Sequence, residues 1–255
     1  MQRVLNKDEL LKTAEGLARD IDRQFSASGL TAVAAEVVKV TQEAMVRAER
    51  IRRPNILLRL GLVLLVVIAV VGVVVYLKSH EGELKPLELF FKLLDATKGS
   101  AAFLAAVAIF LVTLEFRLKR WRALQAIHEL RAMAHIIDMH QLAKNPERFA
   151  LALEPIQVSG RTMSPDQMAQ YLHLCTELLA IVSKIGQLYV QDFPDATALA
   201  AEDQFEGLAT GLSSKIWQKL MILQQLRVEA AEVKAAGRMG DLAGVAHPAA
   251  PAKNA

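Results

Sequence analysis

Eighteen residues from Leu60 to Leu77, LGLVLLVVIAVVGVVVYL, carry no charge. At about 1.5 Å per residue such a run reaches about 27 Å as a helix, close to the hydrocarbon thickness of a bilayer. The sequence therefore predicts a membrane span, which Ile56 to Arg59 carry through the interface. Its valines are lipid-facing residues of a helix rather than a strand. Composition agrees. The chain is 53% hydrophobic with mean hydropathy +0.27, above the roughly 45–50% of ordinary soluble domains, and the excess is local.

A second apolar run, GSAAFLAAVAIFLVTLEF, covers Gly99 to Phe116. It is richer in alanine, and Ala101/Ala105 and Ala102/Ala106 form small-xxx-small pairs that let helices approach closely in lipid. The two runs predict a transmembrane hairpin, with spans at about 57–77 and 99–116 and an outer connector at 78–98. Within the connector, PLELFFKLLD (86–95) reads as a short amphipathic helix on the outer leaflet. An ordinary turn with some apolar contacts is the plainer alternative.

Charge sets the orientation. Lys39, Arg47, Arg50, Arg52 and Arg53 precede the first span, and Arg117, Lys119, Arg120, Arg122 and Arg131 follow the second. The connector has lysines but no arginine. The positive-inside rule then puts both termini in the cytoplasm, as a multi-pass protein of a cell inner (plasma) membrane. Tyr76 would mark the outer interface and Trp121 the inner one. No cleavable leader is expected, because the first fifty residues are punctuated by charges.

Outside the spans the residues favour helix. Residues 6–25 form an amphipathic helix, with Asn6 as N-cap, Glu9 at the third helical position, and Leu10, Ala14, Leu17, Ile21 and Phe25 on one face. A second runs from about Leu30 to Arg53, with Val33, Val37, Val40 and Ala44 inward. The second span is expected to continue as one helix to about Lys144. Residues 146–163 read as an irregular connector. Ser164-Pro165-Asp166-Gln167 is a helix start, opening a helix to about Gln191 with two adjacent apolar seams, hence buried on more than one side. Phe193-Pro194-Asp195 turns the chain into a last helix at about 196–235.

The expected fold class is all-α, an integral membrane protein with a two-helix transmembrane hairpin and a cytoplasmic helical bundle. The divisions are an N-terminal cytoplasmic helical pair at 1–53, the hairpin at 54–117, a cytoplasmic helical domain at 118–236 and a disordered tail at 237–255.

Few residues point to chemistry. Arg59 and Glu115 are the charges near membrane depth, both toward the cytoplasmic end. They either pair or snorkel separately to the headgroups. Arg117, Lys119, Arg120 and Arg122 form a basic run where anionic headgroups lie, as a topology signal or a lipid contact. His128, Arg131, His135 and Asp138 share one helix face. His128 and His135 are about 10 Å apart along it, so a metal would need a further ligand such as His173 or Glu177. A plain polar face is the simpler reading. Cys175 lies in an apolar seam, as an inert thiol would, and a single cysteine excludes an internal disulfide.

No phosphate loop, HExxH, GxSxG or CxxC pattern occurs, and neither span offers a histidine to a haem. The expectation is a non-enzyme without cofactor, small-molecule substrate or nucleic acid. It would be an inner-membrane scaffold or adaptor whose helices meet protein partners or a second copy. The alternatives are an oligomeric two-span channel or membrane-perturbing effector, and a metal or pH sensor built on His128, His135 and Asp138.

Overall fold

The computed structural model describes residues 4–79, 86–142, 156–158 and 161–245. The order is α1 (Lys7–Phe25), α2 (Gly29–Arg52), α3 (Ile56–Ser79), α4 (Pro86–Leu142), β1 (Ile156–Val158), β2 (Arg161–Met163), α5 (Pro165–Val190) and α6 (Ala196–Val245). The protein is thus helical apart from one short antiparallel pair, in which Ile156 faces Met163 and Val158 faces Arg161. That pair corrects the irregular connector. β1 alternates apolar and polar residues, and the register sets its Ile156 opposite the apolar Met163 of β2.

Local chemistry sets the helix starts. Asn6 Oδ1 accepts the backbone N–H groups of Asp8 at 3.0 Å and Glu9 at 3.4 Å, capping α1. Ser28 does the same for Thr31 at the start of α2. Ser164 and Gln167 form a reciprocal capping box on α5, with Pro165 in its first turn. Such a cap stabilises by about 1 kcal/mol. Each buried Leu, Ile or Phe contributes about 1.5–3 kcal/mol, so packing rather than capping holds the bundle.

The core joins five helical segments. α1 gives Leu10, Ala14, Leu17, Ile21 and Phe25, and α2 gives Leu30, Val33, Val37 and Ala44. The C-terminal half of α4 adds Ile127, Leu130, Ala134 and Ile137, and α6 adds Phe205, Leu212, Ile216 and Leu223. α5 is the hub. It touches α1, α2, α4 and α6, and its buried residues span both expected seams. The N-terminal pair and the C-terminal helices contribute to one continuous core. Separation along the chain hid this, because the two parts are joined through the apolar segments rather than directly.

Two helices run longer than their sequence boundaries. α4 extends unbroken for 57 residues, about 85 Å. The 86–95 segment is its first part and not a separate surface helix. Asp95 to Ser100 include a glycine but no proline, and a lone glycine costs only about 1 kcal/mol within a helix. α6 continues to Val245, so the tail expected from residue 237 begins as helix. Ala, Arg, Met and Leu favour that conformation, and no proline intervenes before Pro248. The connector at 80–85 and the tail at 246–255 lie outside the described residues, as do residues 143–155 and the side chains of Tyr76 and Ala101.

Among the described residues one stretch is long and apolar enough to cross a membrane. It lies within Gly29–Gly72, where an eighteen-residue window reaches mean hydropathy 2.5 with none of its residues buried. Leu58, Leu62, Leu65 and Ala69 of α3 are half-buried, as are Leu104, Val107, Ala108 and Leu111 of α4. Ala102, Ala105 and Ala106 are exposed. The half-buried residues of this part of α4 are mainly its larger ones.

Candidate functional site

The sequence changes character where α2, α3 and α4 meet. Pro54 ends α2 by holding Arg53 extended, at φ −65° and ψ 141°. Asn55 then starts α3, its carbonyl accepting the Arg59 N–H at 3.1 Å. The Asn55 N–H, one of the free donors at a helix start, donates to Glu115 Oε1 of α4 at 3.2 Å. A carboxylate there also meets the positive end of the α3 dipole. Lys119 Nζ lies 3.2 Å from the same oxygen, and Arg59 Nε lies 3.8 Å from Glu115 Oε2. Glu115 is only 16% exposed and Arg59 64%. The carboxylate is thus a fixed tie between α3 and α4, with Arg59 at its open side.

A second carboxylate organises the α2 side. Glu49 binds Arg52 at 2.8 Å, Arg53 at 3.0 Å and Lys7 of α1 at 3.4 Å. The hydrogen bonds from Arg52 and then Arg53 hold its carboxyl down at about 2. Between the two clusters lies a cleft of about 760 Å³, walled by Met45, Val46, Ile56, Leu57 and Leu118 and rimmed by Lys7, Arg50, Arg53, Lys119 and Arg122. A smaller cleft of about 240 Å³ adjoins it, sharing Arg50 and Arg122 and including Trp121 and Gln125. Trp121 is 61% exposed.

The basic run is not one uniform surface. Lys119 is engaged by Glu115. Arg120 forms a forked pair with Asp195, its Nε at 2.9 and 3.0 Å from the two carboxylate oxygens and its Nη2 at 2.6 Å from one. This bond ties α4 to the start of α6 and raises the guanidinium above its ordinary range. Arg117 is exposed, and Arg122 lines the cleft. Arg47 links α2 to α4 by pairing with Glu43 and Glu129.

The histidine face is dispersed. His128 and His135 are exposed, Arg131 donates to the Ala201 carbonyl at 3.3 Å and to Gln204, and Asp138 accepts from Gln141. His173 pairs with Glu177 one turn on, at 3.2 Å. Among the described residues no three His, Cys, Asp or Glu side chains are grouped to hold a metal. Cys175 is buried.

Sequence reasoning missed Glu49, Asn55 and Asp195. Asp195 could have been found as a cap, because an aspartate directly before a helical run is a start signal. Glu49 and Asn55 act across helices, and no local pattern marks them. Comparison with protein-family models, with curated proteins and with solved structures finds no match.

Proposed function

We propose that the chain is a non-enzymatic scaffold anchored in a cell inner membrane by a hairpin of α3 and the first part of α4, with both termini and the bundle in the cytoplasm. One observation carries the reading. A helix of eighteen-residue apolar reach stands with its side chains uncovered beside a bundle that has closed its own core. Leu57 is 80% exposed, and Phe103, Ile109, Phe110 and Phe116 of α4 are exposed too. So large an apolar surface is stable only against lipid or another protein. The arginines of α2 and α4 at its base favour lipid and a cytoplasmic bundle.

The scaffolding part rests on α6. Trp217, Met221 and Val228 are exposed at spacings of four and seven, so they lie on one side of the helix. Beyond Leu223 no described residue of α6 is buried. An apolar stripe with an aromatic anchor suits a helical partner or a second copy.

The test is the mass of the detergent-solubilised full chain, by light scattering and mass spectrometry together. The expected result is a stoichiometric assembly that dissociates when Trp217, Met221 and Val228 are all replaced by Ser, with helicity unchanged. A monomer that recovers no partner would remove the scaffold reading.

A further inference from the structure

The cleft where α2, α3 and α4 meet holds cations of two kinds. Lys7, Arg53 and Lys119 each have a carboxylate, at 3.4, 3.0 and 3.2 Å. Arg50 of α2 and Arg122 of α4 have no ion pair or hydrogen bond among the described residues. Both line the main cleft and the smaller one beside Trp121, so they stand in the wall between the two. The carboxylates that line the two clefts, Glu49, Glu115 and Glu129, are engaged by Arg52 and Arg53, by Asn55 and Lys119, and by Arg47, so an anion between Arg50 and Arg122 would offset the like charge of two guanidinium groups from different helices. The planar fork of arginine matches a phosphate best.

The other end of the cleft is apolar. Glu115 and Lys119 also border a groove of about 480 Å³ between α3 and α4, lined by Leu62, Val63, Leu111, Val112 and Phe116. The cleft and this apolar channel along the two helices thus share Glu115 and Lys119 as a common border. A free phosphate or a nucleotide would leave that channel empty, whereas an amphiphile with an anionic head and a hydrocarbon chain fills both.

We propose that this junction is a binding site for an anionic phospholipid, its phosphate bridged by Arg50 and Arg122 and one acyl chain lying in the groove between Leu62 and Leu111. The proposal rests on the reading of α3 as a membrane anchor. Trp121 beside the two arginines suits the headgroup level, where indole rings concentrate. The lipid would fasten the bundle to the bilayer and fix its tilt, because its head touches α2 and α4 while its chain touches α3 and α4.

The test is native mass spectrometry of the full chain in mild detergent, titrated with phosphatidylglycerol, phosphatidylcholine or inorganic phosphate. The expected result is a one-lipid adduct with phosphatidylglycerol that survives activation stripping phosphatidylcholine. The double substitution Arg50→Gln with Arg122→Gln should lower that preference roughly tenfold or more. Arg19→Gln, an exposed cation on α1 outside the cleft, should leave it unchanged. An equal loss with Arg19→Gln would mean diffuse surface charge and overturn the site. Competition by inorganic phosphate would mean a phosphate site without a lipid, and overturn it too. Carbonate extraction of membranes carrying the wild type and the double variant separates the two readings. Retention of both in the membrane leaves the anchor standing whatever the lipid result. Release of both ends the anchor reading, and the lipid site with it.

Discussion

Glu202 is a carboxylate in surroundings that fit it poorly. It sits where α5 and α6 cross, and the crossing is close because Gly186 has no side chain: a Cβ there would meet Phe205 Cδ1 at 3.1 Å and Glu202 Oε1 at 3.4 Å. Glu202 is 4% exposed. Burial pushes its carboxyl above the ordinary range, and Glu206 and Asp203 add like charge. A carboxyl raised in the folded state supports folding at pH values below its unfolded range, and that support is lost as pH rises through the folded value. The native chain should therefore lose stability between acid and neutral pH relative to Glu202→Gln. At pH 7.5 the Gln variant should be the more stable by about 1 kcal/mol, the low end of what a poorly satisfied buried polar group costs. The difference should shrink at pH 4.5. Thermal unfolding followed by circular dichroism at both pH values decides it, and identical melting curves would show that the carboxyl stays solvated in the folded state.

At the scale of elements, Asp195 joins two helices by two different bonds. Its Oδ1 accepts the N–H groups of Thr197 at 3.1 Å and Ala198 at 3.0 Å, capping α6, while both oxygens take the guanidinium of Arg120 on α4. The Asp195 side chain is 9% exposed and that of Arg120 43%, so solvent screens the pair in part. The Arg120 hydrogen bonds, reinforced by the cap, hold the carboxyl below its ordinary range. Its contribution is thus complete above that range and lost as pH falls through the folded value, the reverse of Glu202. Asp195→Ala should cost about 1–3 kcal/mol, from the lost cap and the partly screened charged hydrogen bonds. Asp195→Asn keeps a capping oxygen and should cost about half as much. Equal losses in the two variants would show that the cap contributes nothing.

Asp195 also marks the limit of what the chain discloses before it is folded. α1 and α5 are legible because their signals are local: a cap residue, three or four residues to the next signal, and a face at helical spacing. The apolar run of α3 is legible because length and missing charge suffice. The cap-and-clamp role of Asp195 needs Arg120, 75 residues away. The same holds for Glu49 with Lys7, 42 residues apart, and for Asn55 with Glu115, 60 apart. Each is a polar pairing across helices, whose geometry exists only once apolar faces have set the helix positions. The unbroken length of α4 escaped for the opposite reason, since Gly99 resembles a stop but lacks the proline that would enforce one.

For the whole molecule, the proposed membrane anchor predicts which way the two parts would face across a bilayer. Glu115 of α4 ties the start of α3 to the bundle, and the far end of α3 lies a helix length away. If the hairpin crosses the membrane, Ser79 is on the outside, while Gln24 at the end of α1 and Gln225 on α6 are inside. All three are exposed, and a cysteine at any of them would react with a maleimide that reaches it. Cys175 is fully buried, so the native thiol is a silent background and need not be replaced. In bacterial spheroplasts expressing single-cysteine variants, Ser79→Cys should label with a membrane-impermeant maleimide added outside. Gln24→Cys and Gln225→Cys should label only after the membrane is permeabilised. Protection of all three positions would mean that α3 does not cross and that its apolar surface is covered by protein. Labelling of the two bundle positions from outside would invert the topology, against the arginines on both sides of the hairpin, since moving so many charges across the hydrocarbon is the costliest arrangement open to this chain.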